Sequence, residues 1–98
     1  MPIAEIIVTP LGTGSPSLSK YVAKVERIIR ESGLKSQLTP MSTIVEGELD
    51  EILELVKKVH NTLFEEGVLR VSTTVRIDER RDKPQSMESK VKAVEDKL

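Results

Sequence analysis

Few side chains in this 98-residue chain can do acid–base or nucleophilic chemistry, and their spacing limits what that chemistry is. Cysteine is absent, which excludes thiolate catalysis, disulfides and cysteine-ligated metal at the outset. His60 is the only imidazole. A Ser-His-acid relay would rest on that one base, and no nucleophile turn accompanies it. A zinc site would need carboxylates and a second subunit. Helical spacing puts His60 on the edge of an apolar stripe, where a packed or half-exposed structural role is the simpler reading. Catalysis is therefore disfavoured, and the chain is read as a non-enzyme with no cofactor.

Three other groupings bear on binding. The segment Leu11-Gly12-Thr13-Gly14-Ser15-Pro16-Ser17 is a Gly-rich turn into a helix start. It could cradle an anion or simply be a flexible connection ahead of a capped helix. It lacks the Gly-Lys-Ser/Thr of a P-loop and the third glycine of a dinucleotide fingerprint. Glu46 ends a short apolar stretch beside Gly47. It either pairs with Arg76 across a sheet face or accepts a hydrogen bond from a ligand's amino group. The acidic run Glu48, Asp50, Glu51, Glu54 reads as a solvated helix face, and Arg80, Arg81 and Lys83 as a solvated turn or a subunit salt bridge.

The elements that would position these residues follow from periodicity. Residues 3–9 form a β-branched strand with Ala4, Ile6 and Val8 on one face and Ile3 and Ile7 on the other. Ser15-Pro16 predicts a cap and first helical position, and Leu18, Val22, Val25 and Ile29 recur at helical spacing before Gly33. Lys35–Leu38 and Thr43–Glu46 read as short strands. A second helix carries Leu49, Ile52, Leu53, Val56, His60 and Leu63 and stops at Gly67. From Leu69 to Asp78 residues alternate, with Leu69, Val71, Thr73, Val75 and Ile77 facing the helices and Ser72, Thr74 and Arg76 facing away. Ser86 caps a last helix with Met87, Val91, Val94 and Leu98.

The order β-α-β-β-α-β plus a C-terminal helix predicts one α+β domain over residues 1–98. Its expected form is a ferredoxin-like antiparallel sheet with helices on one face. A first strand apolar on both faces needs cover on both, yet the helices of one chain reach only one. The open face, with Ile3, Ile7 and Ile44 beside Glu5, Glu46 and Arg76, is expected to meet another subunit.

Composition narrows the partners. The formal net charge is −1 and only Tyr21 and Phe64 are aromatic, so neither a basic field nor a base-stacking sheet is present and nucleic acid is not an expected partner. No apolar run approaches the ~20 residues that span a bilayer, so no membrane partner is expected. The N-terminal Met-Pro-Ile-Ala-Glu lacks the pattern of a secretory leader, which makes the cytoplasm the expected address.

Several segments, in order, resemble the thiamine-binding, YkoF-like family. They are Pro10-Leu-Gly-Thr13 with Ser17 and Tyr21-Val22, then Pro40-Met-Ser-Thr43-Ile-Val-Glu46-Gly47-Glu48, then Arg70-Val and Ile77-Asp-Glu-Arg80. The resemblance implies a ferredoxin-like subunit assembled with itself into a homodimer or homotetramer. It also implies binding of thiamine or its hydroxymethylpyrimidine moiety without chemistry. Carried over by motif, the implied ligand residues are Thr9, Ser17, Tyr21, Thr43 and Glu46. Strand alternation puts Thr43 and Glu46 on opposite faces, so one pocket using both requires a bulge or a strand end. The alternative function is a structural or regulatory module that docks a partner protein on the open face without a small ligand.

Overall fold

A computed structural model describes residues 1–98. Its elements are β1 (Ile3–Leu11), α1 (Ser19–Glu31), β2 (Lys35–Leu38), β3 (Thr43–Glu46), α2 (Leu49–Glu65), β4 (Arg70–Asp78) and α3 (Met87–Glu95). The four strands form one antiparallel sheet in the order β2-β3-β1-β4, the ferredoxin-like arrangement with an added C-terminal helix.

Register fixes which side chains share a face. Ile6 lies between Thr43 and Val75, and Ala4 between Val45 and Ile77, all on the helix side. Glu5 lies between Ile44 and Arg76 on the open side. The core forms where α1 and α2 cover the first set: Ala4, Ile6, Val25, Ile29, Val45, Ile52, Leu55, Val59 and Leu63 are all buried. Gly33 and Gly67 follow the two helices with φ of +81° and +86°, a left-handed turn that glycine makes without a Cβ penalty.

Five expectations change. The first helix begins at Ser19, with Leu18 rather than Ser15 at its cap position. Ser15 Oγ instead accepts from the Ser17 amide at 3.1 Å, closing a local turn that delays the helix. Val22, placed in the core stripe, is 41% exposed.

The buried face of α2 is also rotated. Ile52, Leu55, Val59, Thr62 and Leu63 point inward, while Leu49 and Leu53 are exposed and Val56 and His60 half-buried. The cause is that the apolar arc of α2 is wider than the face that packs, so periodicity alone does not choose which part of it is buried.

Leu69 lies outside β4 and is 94% exposed rather than inward. Finally, β1 runs on through Pro10 to Leu11. This is possible because β3 pairs only with Ile3–Ile6, so beyond Ile6 one side of β1 is an edge where a missing N–H costs no ladder bond.

Helix α3 leaves the helix layer and reaches the open face at its β3 end. Glu46 Oε1 accepts from the Met87 amide at 2.7 Å, Lys35 pairs with Glu88, and Lys90 Nζ lies 2.6 Å from Asp78 Oδ2. Ser86 caps it reciprocally with Ser89, as the sequence predicts for Ser86. None of its residues is buried; Val91 and Val94 stay exposed, so the chain does not cover the stripe itself.

Candidate functional site

Because β3 is four residues and β1 is nine, the sheet has a notch. Ile7–Leu11 pair with β4 on one side, and on the other they face the β2–β3 bend and the start of α1. A cavity of about 180 Å³ sits there. Its walls include Val8, Leu18, Val22, Leu38 and Met41, and Thr9, Thr39, Ser42 and Thr43 supply hydroxyls. Beside them runs the free backbone edge of β1. Apolar side chains at its rim are left in solvent, Met41 81% exposed and Leu38 48%. Exposed apolar groups around a concavity with few polar atoms are what a small-molecule site presents.

The hydroxyls are held in place. Thr39 Oγ1 donates to the Ser42 carbonyl at 2.8 Å and accepts from the Ser42 amide at 3.1 Å, so the bend is a closed local turn. Ser42 Oγ donates to Glu5 Oε2 at 2.8 Å, tying the bend to the open face. On the helix side, Thr43 Oγ1 donates to Glu26 Oε2 at 2.9 Å, and Glu26 Oε1 lies 3.3 Å from Arg30 Nε. Glu26 is buried, which a carboxylate tolerates when both oxygens are engaged.

The residues expected at the site are divided by the structure. Thr9 and Thr43 line the same cavity. Ser17 and Tyr21 line a separate shallow depression with Thr13, Ser15 and Lys20. Glu46 is at the other end of β3 and on the other face from Thr43; the β1–β3 register is unbroken, so no bulge joins them. The pairing of Glu46 with Arg76, one of the two readings open for Glu46, is not formed. Across Ile3, Glu46 is level with Asp78, while Arg76 is level with Glu5. Glu46 serves the α3 amide instead. Glu5, Glu26, Leu18, Leu38 and Met41 were not singled out as site residues from sequence; only the length mismatch between the two strand stretches hinted at the notch.

The two aromatic rings are elsewhere. The Lys20 ammonium sits 4.9 Å from the Tyr21 ring centre, and Phe64 meets His60 edge-on at 5.4 Å between centroids. His60 is structural in this sense: its Nδ1 shares a 2.6 Å hydrogen bond with Thr73 Oγ1, joining α2 to β4. A larger groove of about 530 Å³ runs between α1 and α2, where Ile28, Leu34 and Leu55 lie among the charged side chains of Glu51, Glu54, Lys57, Lys58 and Glu65. No group of three or more His, Cys, Asp or Glu is arranged to hold a metal ion, and no helix is long and apolar enough to cross a membrane.

Comparison with known proteins decides the family. The profile described as "Thiamine-binding protein" matches residues 4–95. The chain belongs to that family. It is 44% identical over 98 residues to the UPF0045 protein YqgV of Bacillus subtilis, spanning 96% of this chain and 94% of that protein. A relative from the glkA 3′ region of Staphylococcus xylosus is also 44% identical, over 97% of this chain and 92% of its own length. Among solved structures, protein MJ1052 of Methanocaldococcus jannaschii superposes with a TM-score of 0.90 at 41% identity, covering 96% of this chain and 95% of that one. A Thermotoga maritima protein described as a putative thiamine biosynthesis/salvage protein superposes with a TM-score of 0.82 at 27% identity, over 95% of this chain and 97% of that one. Membership of a thiamine-binding family makes small-molecule binding the coarse functional class.

Proposed function

We propose that this chain is the non-enzymatic subunit of a cytoplasmic homodimer or homotetramer that binds thiamine or its hydroxymethylpyrimidine moiety. The observation that carries this reading is the notch at the free edge of β1, in a chain whose family is defined by thiamine binding. An aminopyrimidine is a flat ring with adjacent donors and acceptors. A strand edge presents the matching pattern of N–H and C=O groups.

Size favours the pyrimidine. Pockets for drug-sized ligands are roughly 300–1,000 Å³, whereas this cavity is about 180 Å³. One ring fits; a two-ring ligand needs a wall from a second subunit. The walls are aliphatic, and neither aromatic ring lines the cavity, which suits a neutral ring better than a thiazolium cation.

In this proposal Thr9 and Thr43 contact the ring, with Ser17 in the turn before α1 and Tyr21 on the neighbouring flank of α1. Thr43 donates to Glu26, so its remaining lone pairs are what it offers a ligand. Glu5 is the carboxylate attached to the cavity through Ser42. Glu46 takes part through Oε2, which accepts nothing within the chain, from the open face on which a neighbouring subunit docks.

Thermal melting with added thiamine or hydroxymethylpyrimidine tests this, since a ligand bound only by the native state raises Tm with its concentration. A dose-dependent rise with the pyrimidine is expected. If both compounds at saturation leave Tm unchanged, the ligand class is wrong. The second reading, a module that docks a partner protein, then takes its place on the strength of the uncovered Val91 and Val94 of α3.

A further inference from the structure

Strand β2 lies at the rim of the sheet beyond β3, and its outer side has no neighbour. The Thr39 amide donates to the Ser42 carbonyl at 2.8 Å, so these two residues form a hydrogen-bonded pair at the end of the β2–β3 ladder. Such pairs alternate along an antiparallel ladder. Gln37 and Lys35 therefore bond inward to Ile44 and Glu46, and the N–H and C=O groups of Ser36 and Leu38 turn outward. Free edges are normally blunted by proline, a bulge or an inward-pointing charge. Residues 35–38 contain no proline, pair with β3 without a break, and turn only Ser36 and Leu38 toward the helix side. Shortness is the one protection this edge has, and it suits the edge to a short partner.

Helix α1 packs over β1 and β2 and forms a wall beside this rim. Between its outer flank and Leu38 runs a groove of about 480 Å³. One end is apolar, where Val22 and Leu38 are left in solvent beside Ala23. The other end is basic. Arg27 is exposed and forms no ion pair in the chain, and Arg30 bonds Glu26 only through Nε, at 3.3 Å. The Arg30 guanidinium keeps further N–H donors for a carboxylate. Glu26 is the only acid in the groove, and both of its oxygens are already engaged, one by Thr43 and one by Arg30.

We propose that the β2 rim docks an extended segment of another protein, which adds as an antiparallel strand and carries an apolar residue followed two positions later by Asp or Glu. Main-chain bonds to Ser36 and Leu38 supply attachment, and side chains at alternate positions supply selectivity. Residues directly opposite across a ladder share a face, so those opposite Leu38 and Ser36 both enter the groove. Only residues 32–34 separate α1 from β2, so the two run in opposite directions, with Val22 toward Leu38 and Arg30 toward the start of β2. An antiparallel partner thus places its apolar residue against Val22 and Leu38 first, and its carboxylate toward Arg27 and Arg30 second. A second copy of β2, Lys-Ser-Gln-Leu, has no acid to offer these arginines, so it is a poor occupant. Docking here needs no ligand in the notch, although Val22 and Leu38 line both.

Selection of random short peptides displayed on phage against the immobilised full chain tests this, with variants that spare the notch. Enriched peptides should share an apolar residue with Asp or Glu two positions on. Their affinity, read by fluorescence anisotropy, should fall about tenfold or more on Arg27→Glu. The same peptides with Lys in place of that acid should bind Arg27→Glu better than wild type. Ser36→Pro removes an outward N–H and no bond to β3, so it should keep its circular dichroism and lose the peptides. Should that variant misfold, the exchange of preference at Arg27 still carries the test. No enrichment, peptides without the pattern, or binding that survives Arg27→Glu overturns the proposal. A lower molar mass of folded Ser36→Pro in sedimentation would put a second copy on this rim, which overturns it equally.

Discussion

Thr43 and Glu26 meet beneath the notch, the Thr43 hydroxyl donating to the buried Glu26 carboxylate at 2.9 Å. This bond joins β3 to α1 and leaves the Thr43 side chain facing the cavity with only acceptor capacity to spare. Thr43→Val, which keeps the shape and removes the donor, is expected to lower stability by about 1–3 kcal/mol, because a buried carboxylate oxygen loses its partner. Glu26→Gln should cost less, since the amide still accepts. Urea unfolding of the two variants checks the order; equal costs would mean that the charge, not the bond, matters.

The rotated face of α2 gives a sharper comparison. Ile52 and Leu53 are adjacent in sequence, yet Ile52 is fully buried and Leu53 is 47% exposed. Ile52→Ala should destabilise the fold by about 2–5 kcal/mol. Leu53→Ala should cost under about 1 kcal/mol in the monomeric fold. Chemical denaturation at concentrations below any assembly separates them, and similar losses would place α2 in the orientation its periodicity also permits.

Glu46→Gln tests whether a neighbouring subunit completes the ligand site. The amide oxygen can still accept from Met87, so folding should be retained, while affinity for hydroxymethylpyrimidine should fall by about tenfold, the worth of one charge-assisted hydrogen bond. Isothermal titration measures both variant and wild type. Unchanged affinity removes Glu46 from the site and leaves Glu5 as the carboxylate to replace next.

The attachment of α3 should depend on pH. The Lys35 ammonium holds the Glu88 carboxyl below its ordinary value of 4.5, and Lys90 holds Asp78 below 3.8. Groups depressed in this way stabilise the docked helix above the ordinary carboxylate range and lose that effect as pH falls through their lowered values. The side-chain carboxyl shifts of Glu88 and Asp78 should therefore hold from neutral pH down through the ordinary carboxylate range and move below it, with release of α3 following them and the core amides of α1 and α2 moving later. High salt should weaken the same exposed pairs at neutral pH. Simultaneous movement of core and α3 signals would show that the helix is held by more than these contacts.

Much of the architecture was legible in the chain because it depends on local rules. Alternation of Val71, Thr73, Val75 and Ile77, the glycines at 33 and 67, and β-branched runs at 3–9 and 43–46 each specify an element without reference to any other. Together with the motif around Thr43 and Glu46, they determined an α+β ferredoxin-like domain. They also pointed to the family.

What the tertiary structure alone decided is every relationship between elements. Strand order put Ile3 between Glu46 and Asp78, so Glu46 holds α3 and not Arg76. The part of α2 that is buried was chosen by the sheet it covers, because its apolar arc, from Leu55 through Ile52 and Leu63 to Leu53 and Phe64, is wider than the face that packs. The notch beside Thr9 exists only because a nine-residue strand is paired by a four-residue one, a mismatch of lengths that becomes a cavity when the two are laid side by side. Sequence spacing is a property of one element at a time, whereas a site is a property of the distances between them.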